Sequence, residues 1–268
     1  MIDRARLEAI VREAGRIALD AWPGDGHACE VWNKADTSGA HSPVSAADLA
    51  VDTFLKRELG ALLPAAGWLS EETADAPDRI ERSLIWLVDP IDGTRDFVRG
   101  RPGWAVSVAL VSAGRPLLGT LYAPVRQREA GGELWHAEAG HGAWRNGERL
   151  VATTRVDLPG ARVPANALMK EDADLVSVDQ PNSIALRIAM VAADEADLVA
   201  TLRWGFEWDI AAAGLIAREA GAAVTDAFGK PLNYNKRDPR AFGVLVSSPA
   251  MHDAAVERLA ARARRMSA

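Results

Sequence analysis

Leu84-Ile85-Trp86-Leu87-Val88-Asp89-Pro90-Ile91-Asp92-Gly93-Thr94 is the stretch from which the fold can be read. Its first five residues are apolar without interruption, which predicts a short strand buried on both faces. That strand delivers Asp89 at its C-terminal end. Pro90 has no N–H to donate, so the chain is expected to leave the sheet there. Asp92 follows, and Gly93 permits a tight turn. A helical turn beginning at Thr94 would aim free N–H groups at the same spot. One short segment thus offers two carboxylates for cations and an amide nest for an anion, the pair of features a metal–phosphate complex needs. The plainer alternative is a strand end followed by an Asp-capped turn.

Working outward, strands are expected at Trp104 to Val111 and Leu117 to Tyr122, with Ala113-Gly114-Arg115 as the turn between them. Asn146-Gly147 marks another hairpin. Upstream, Leu7, Ile10, Val11, Ala14, Ile17 and Ala18 line one face of a first helix stopped by Pro23-Gly24. Asp25 to Ser42 is polar and reads as an exposed loop, a candidate lid. A second helix runs from about Ala46 to Leu62. Downstream, Ile184, Ile188 and Val191 suggest a helix, and Ile210 to Ala220 another, closed by Gly221. Ala222 to Thr225 and Phe242 to Val246 read as strands, and Pro249 to Arg265 as a final helix. Strands and helices interleave throughout, which predicts a layered α/β or α+β architecture.

The 268 residues are 49% hydrophobic and 25% charged, ordinary for a globular chain with a real core. No apolar run approaches the roughly 18 residues that span a bilayer, so no membrane partner is expected. The net charge of −6 disfavours a non-specific nucleic-acid binder and suits a carboxylate cluster that holds a hard cation. The single cysteine, Cys29, forms no internal disulfide, and a reduced cytoplasm is the expected setting.

Other acids are individually weak signals. Glu71-Glu72 follows Trp68-Leu69 and could be surface. Asp48 sits three residues after Ser45 and reads as the acid of a capping box, which leaves one oxygen free. Asp209 follows Trp208 and could be no more than the N-cap of the next helix. In order, however, Val44-Ser45-Ala46-Ala47-Asp48, Ser70-Glu71-Glu72, Asp89-Pro90-Ile91-Asp92-Gly93-Thr94, Trp208-Asp209-Ile210-Ala211-Ala212-Ala213 and Glu219-Ala220-Gly221 resemble the inositol monophosphatase superfamily over nearly the whole chain. Tyr122-Ala123-Pro124 and Gly142-Ala143-Trp144-Arg145-Asn146-Gly147 are also similar to it.

The resemblance implies an αβαβα sandwich. Residues 1–155 would form an α+β lobe with most metal ligands, and residues 156–268 an α/β lobe completing the site with Asp209, in one compact unit. It implies a phosphatase using two to three Mg²⁺ ions, inhibited by Li⁺, that acts on a small phosphomonoester as a monomer or homodimer. Glu71, Asp89 and the Ile91 carbonyl would hold one ion. Asp89, Asp92 and Asp209 would hold a second, and Glu71 a weaker third near Asp48. Mg²⁺ prefers hard oxygen ligands and keeps several waters, which carboxylates accommodate. Thr94 with Asp48 would orient the attacking water, Glu71 would assist, and the Gly93 and Thr94 amides would hold phosphate.

Substrate choice is less sharply written. Arg95-Asp96 after the threonine is similar to bisphosphate nucleotidases, and Arg203 stands where inositol enzymes place an acid. A guanidinium there would suit a second phosphate; the alternative is a surface residue flanking a strand. Asn182-Ser183 replaces the usual Gly-Ser turn of the pocket wall, with Ser183 a candidate contact, and Lys34 is a candidate basic residue near the site. Trp204, Phe206 and Trp208 could stack on a base or belong to the core. The reading is adenosine 3',5'-bisphosphate first, inositol 1-phosphate second and histidinol phosphate third, with a binding role in transcription or RNA-processing complexes as the non-catalytic alternative.

Overall fold

The computed structural model describes residues 2–35 and 41–267, the side chains of residues 34, 35 and 41–43 excepted. A seven-stranded sheet dominates: β3 (Gly67–Ser70), β4 (Leu84–Asp92), β5 (Ala105–Ser112), β6 (Arg115–Ala123), β7 (Glu133–Glu138), β8 (Gly142–Arg145) and β9 (Glu148–Arg149), in that spatial order. β3 pairs parallel with β4, and every later neighbour is antiparallel. Two-residue turns with positive φ make both tight connections, Ala113-Gly114 and Asn146-Gly147, the geometry that matches strand twist.

Preceding the sheet are α1 (Arg4–Leu19), a hairpin of β1 (Val31–Ala35) and β2 (His41–Ser45), and α2 (Ala46–Leu62). The hairpin corrects the expectation of an open loop over 25–42; residues 36–40 lie outside the described residues, so the lid reading is not addressed. Following the sheet come a parallel pair, β10 (Arg162–Pro164) with β11 (Val176–Val178), and α4 (Ile184–Ala192). The chain ends with β12 (Leu198–Ala200), β13 (Trp204–Phe206), α5 (Glu207–Glu219), β14 (Ala223–Thr225), β15 (Arg240–Phe242), β16 (Leu245–Ser247) and α6 (Pro249–Ser267). The expected strand from Phe242 to Val246 is thus two: β15 pairs with β13, and β16 sits between β12 and β14.

Core packing shows the layering. Leu7, Val11, Val51 and Leu55 of α1 and α2 bury against Trp86, Val88, Val106 and Val108 on one face of the large sheet. Ile188, Ala212 and Leu215 of α4 and α5 bury against Ile85, Leu87, Leu121 and Trp135 on the other. The far side of α4 and α5 meets Val199, Val224 and Val246 of the small sheet. The opposite face of that sheet, Leu198 and Leu245, packs on Met251, Ala255 and Leu259 of α6. The result is αβαβα. Each such aliphatic side chain removed from water contributes about 1.5–3 kcal/mol. Small residues let the layers close: a Cβ on Gly119 would sit 2.6 Å from the Ala212 carbonyl of α5. Among the described residues no helix is long and apolar enough to cross a membrane.

Candidate active site

Strand β4 is buried along almost its whole length, as the apolar run predicts. It does not end at Asp89. Pairing with β5 continues through Asp92, with a register shift between Asp89 and Asp92. Pro90 occupies the bulge, one of the few places in a sheet that tolerates a missing N–H. The Ile91 N–H turns back to Asp89 Oδ1 at 3.1 Å. The bulge thereby brings Asp89, the Ile91 carbonyl and Asp92 to one end of β4.

Register brings in the next acid. Ser70 of β3 pairs with Val88, and the Glu71 N–H donates to the Val88 carbonyl at 3.2 Å. Glu71 therefore emerges beside Asp89. Asp209 arrives from α5. The helix starts at Glu207, so Asp209 lies inside its first turn rather than at the N-cap, and its Oδ2 accepts the Phe206 N–H at 3.0 Å. Gly205 is close enough that a Cβ there would sit 3.3 Å from the same oxygen. Glu71, Asp89 and Asp209 each place one carboxylate oxygen within 4.8 Å of the others. The four aspartates respond to their setting. Burial first, then mutual repulsion with Glu71 and Asp92, pushes Asp89 and Asp209 well above the usual carboxylate range. Burial likewise pushes Asp48 and Asp92 up to about 6. An all-oxygen group of carboxylates, three of them within 4.8 Å of one another, fits a hard divalent cation.

Asp92 and Asp48 face this cluster from supported positions. Asp92 Oδ2 accepts the Ser183 hydroxyl at 2.5 Å and the Ala185 N–H at 2.7 Å, at the N-terminus of α4. Ser183 is fully buried and caps α4 through the Leu186 N–H, so its hydroxyl serves Asp92 and the helix instead of lining the pocket. Asp48 closes the expected capping box: its Oδ2 takes the Ser45 N–H at 2.8 Å and the Ser45 hydroxyl at 2.5 Å. Its Oδ1 stays available to Thr94. The Thr94 hydroxyl has two acceptors in reach, the Ile91 carbonyl at 3.0 Å and Asp48 Oδ1 at 3.3 Å. Gly93 adopts φ 94°, and Thr94 begins a short helix, α3 (Thr94–Val98).

Around this centre the other candidates separate. Arg95 is exposed on α3. Asp96 turns inward and its Oδ2 accepts the Asn182 N–H at 2.9 Å, so this acid ties the turn to the α4 loop. Arg203 is exposed and lines a shallow pocket with Gly205, Phe206 and Asp209. Trp208 is buried and stacks on Phe206 at 4.4 Å, while Trp204 is half exposed and packs edge-on against Phe242. Lys34 lies on β1, with its side chain outside the described residues.

Several residues escaped the sequence reading. Arg79, 2% exposed, donates to Asp75, the Asn235 side chain and the Lys236 carbonyl. The Asn235 and Lys236 amides in turn donate to buried Glu207, two residues before Asp209. Asp52, one helical turn after Asp48, accepts hydroxyls from the segment bearing Glu71. The i, i+4 spacing of Asp48 and Asp52 was the one available signal.

A sequence model of the inositol monophosphatase family matches residues 3–267. The chain belongs to that family. It is a phosphatase, as members of this hydrolase family are. It is 34% identical over 242 residues to the 3'(2'),5'-bisphosphate nucleotidase CysQ of Escherichia coli (strain K12), covering 85% of this chain and 92% of that protein. It is 30% identical over 242 residues to the histidinol-phosphatase of Mycobacterium tuberculosis (strain ATCC 25618 / H37Rv), covering 84% of this chain and 88% of that one. Among solved structures, Thermotoga maritima IMPase TM1415 aligns with a TM-score of 0.80 at 26% identity, covering 97% of each chain.

Proposed function

We propose that this protein is a Mg²⁺-dependent 3'(2'),5'-bisphosphate nucleotidase that converts adenosine 3',5'-bisphosphate to AMP and inorganic phosphate. The observation that carries the reading is the convergence of Glu71, Asp89 and Asp209 on one point, with Arg203 lining the same pocket as Asp209. The similarity to CysQ supports the nucleotide over the other phosphate esters.

In this reading Glu71, Asp89, the Ile91 carbonyl, Asp92 and Asp209 hold two to three Mg²⁺ ions, and Li⁺ inhibits by occupying part of the same acid set. The ions, when bound, supply Lewis-acid activation of water and neutralise the leaving oxygen. The 1–155 lobe contributes the first acids and the 156–268 lobe completes the set with Asp209. Thr94, within reach of Asp48, orients the water, and Asp48 is placed to draw on the Thr94 proton; Glu71 assists. The amides of Gly93 and Thr94 hold phosphate oxygens. Water provides the incoming oxygen, the bond from phosphorus to the sugar oxygen breaks, and the sugar hydroxyl recovers a proton. Arg203 pairs with the phosphate that is retained, with Arg95 and Lys34 as outer basic residues. The free thiol of Cys29 accords with a reduced cytoplasm, the setting proposed for the protein.

The test is a phosphate-release panel with Mg²⁺, with and without Li⁺. It compares adenosine 3',5'-bisphosphate, inositol 1-phosphate, histidinol phosphate and fructose 1,6-bisphosphate. Highest kcat/KM for the nucleotide, suppressed by Li⁺, is expected. A higher value for any other ester would replace the substrate assignment. No metal-dependent release from any of them would favour a binding role.

A further inference from the structure

We infer that Asp52 is a positioning residue for the metal centre, holding the segment that carries Glu71 in register with Asp89 and Asp209. The inference rests on the reading that Glu71, Asp89 and Asp209 hold a divalent cation.

These three acids come from supports of unequal stiffness. Asp89 lies on the interior strand β4, buried and paired on both sides. Asp209 sits in the first turn of α5, a helix packed into the core. Glu71 follows the last residue of β3, which is four residues long and forms the edge of the large sheet. A ladder bond from the Glu71 N–H to the Val88 carbonyl continues past the strand end. Like charges held this close repel, and a carrier on an edge strand has ladder bonds on one side only to resist that push.

Asp52 anchors this segment from α2. The Ser70 hydroxyl donates to Asp52 Oδ1 at 2.5 Å, and the Thr73 hydroxyl donates to Asp52 Oδ2 at 2.5 Å. The two donors flank Glu71-Glu72, one on each side, so one carboxylate grips both shoulders of the turn. Each oxygen takes one hydroxyl, the strong form of hydrogen bond to an ionised acceptor. Asp52 is 6% exposed, and among the described residues it forms no ion pair with Lys, Arg or His. Burying a carboxylate without a cation is costly for stability alone. The return is geometric: α2 is a stiff helix packed on the sheet, and it carries Asp48 toward Thr94 and Asp52 toward the Glu71 turn one helical turn apart.

The experiment titrates Mg²⁺ into the metal-free full chain and reads melting temperature alongside phosphate release. For Asp52→Ala the Mg²⁺ concentration giving half the thermal stabilisation should rise about tenfold, as for lost outer-shell partners of metal ligands. For Thr73→Val, which removes one hydrogen bond and keeps the shape, it should rise about threefold. Asp52→Asn still offers each hydroxyl a partner and should titrate close to wild type. In all three variants kcat at saturating Mg²⁺ should be nearly that of wild type. If Asp52→Ala and Thr73→Val melt at lower temperature but titrate with Mg²⁺ as wild type does, Asp52 serves the fold alone and the inference is wrong. Should Asp52→Ala not fold, Thr73→Val decides by the same criterion. A wild-type chain whose melting ignores Mg²⁺, as the Asp209→Asn control should, would remove the metal reading itself and the inference with it.

Discussion

Replacing Gly93 by alanine should both destabilise the protein and disable it, and the size of the effect follows from three contacts. A Cβ at residue 93 would sit 2.6 Å from the Gly103 carbonyl oxygen, 2.8 Å from the Ser183 nitrogen and 3.1 Å from the Ser183 Cα. All three are backbone atoms, so no side chain can swing aside. The Ser183 N–H donates to that same Gly103 carbonyl at 2.9 Å. Making room therefore stretches this bond, worth about 1 kcal/mol. The φ of 94° adds about 1–2 kcal/mol for any residue with a Cβ. Overpacking of this kind costs a further ~1–3 kcal/mol. About 3–6 kcal/mol is expected, a large share of the 5–15 kcal/mol typical of a domain. The shift also moves Ser183 away from Asp92 and tilts the Thr94 amide, so phosphate release should fall by roughly 100-fold or more, the scale for losing a preorganised anion donor. The assay is urea unfolding of the metal-free protein, with Gly60→Ala as a matched control. Gly60 lies within α2 and a Cβ there meets nothing within 4 Å, so that change should stabilise by about 0.5–1 kcal/mol. A Gly93→Ala protein within about 1 kcal/mol of wild type would refute the argument that this turn is closed by backbone contact.

Removing metal should expose a pH dependence of defined sign. Asp48, raised from 3.8 to about 6 by burial, binds its proton more tightly folded than unfolded. Its contribution to stability is therefore fully present below about pH 4, declines toward pH 6 and levels off above, a loss on the order of 3 kcal/mol. Asp89, Asp92 and Asp209 are shifted in the same direction. The stabilisation conferred by Mg²⁺, taken as the difference between urea midpoints with and without it, should grow from pH 4.5 to pH 7 on the order of a few kcal/mol; a difference that is flat or shrinks contradicts the assignment. Arg203→Ala should lower kcat/KM for adenosine 3',5'-bisphosphate by about 10–100-fold, the worth of a charged hydrogen bond, and leave inositol 1-phosphate nearly untouched. Equal losses on both would remove the reason to assign a second phosphate to Arg203. Arg79→Ala leaves Asn235 without its buried donor and Asp75 without its ion pair, and should cost about 1–3 kcal/mol in unfolding; a loss below that range would show that the bond network adds little.

What the sequence determined alone is local or periodic. The apolar run Leu84 to Val88 specified a buried strand, because only a strand covered on both faces has no polar side. Ser45 and Asp48 specified a capping box, since its geometry is set within four residues. The two positive-φ turns at Ala113-Gly114 and Asn146-Gly147 were legible for the same reason. The order of the acids along the chain suggested a common site, and folding brings Glu71, Asp89 and Asp209 within 4.8 Å of one another. Tertiary structure decided the rest, because it depends on contacts between segments far apart in sequence. The bulge at Pro90 exists because β5 continues pairing past it. Val31–Ala35 looked like loop because a polar segment becomes a strand only when a partner, here His41–Ser45, satisfies its backbone. Arg79 reads as surface until Asn235, 156 residues away, accepts its bond. Asp52 and Ser183 carry no motif of their own. Each is given its task by what folding brings within hydrogen-bond reach: the shoulders of the Glu71 turn for one, the Asp92 carboxylate for the other.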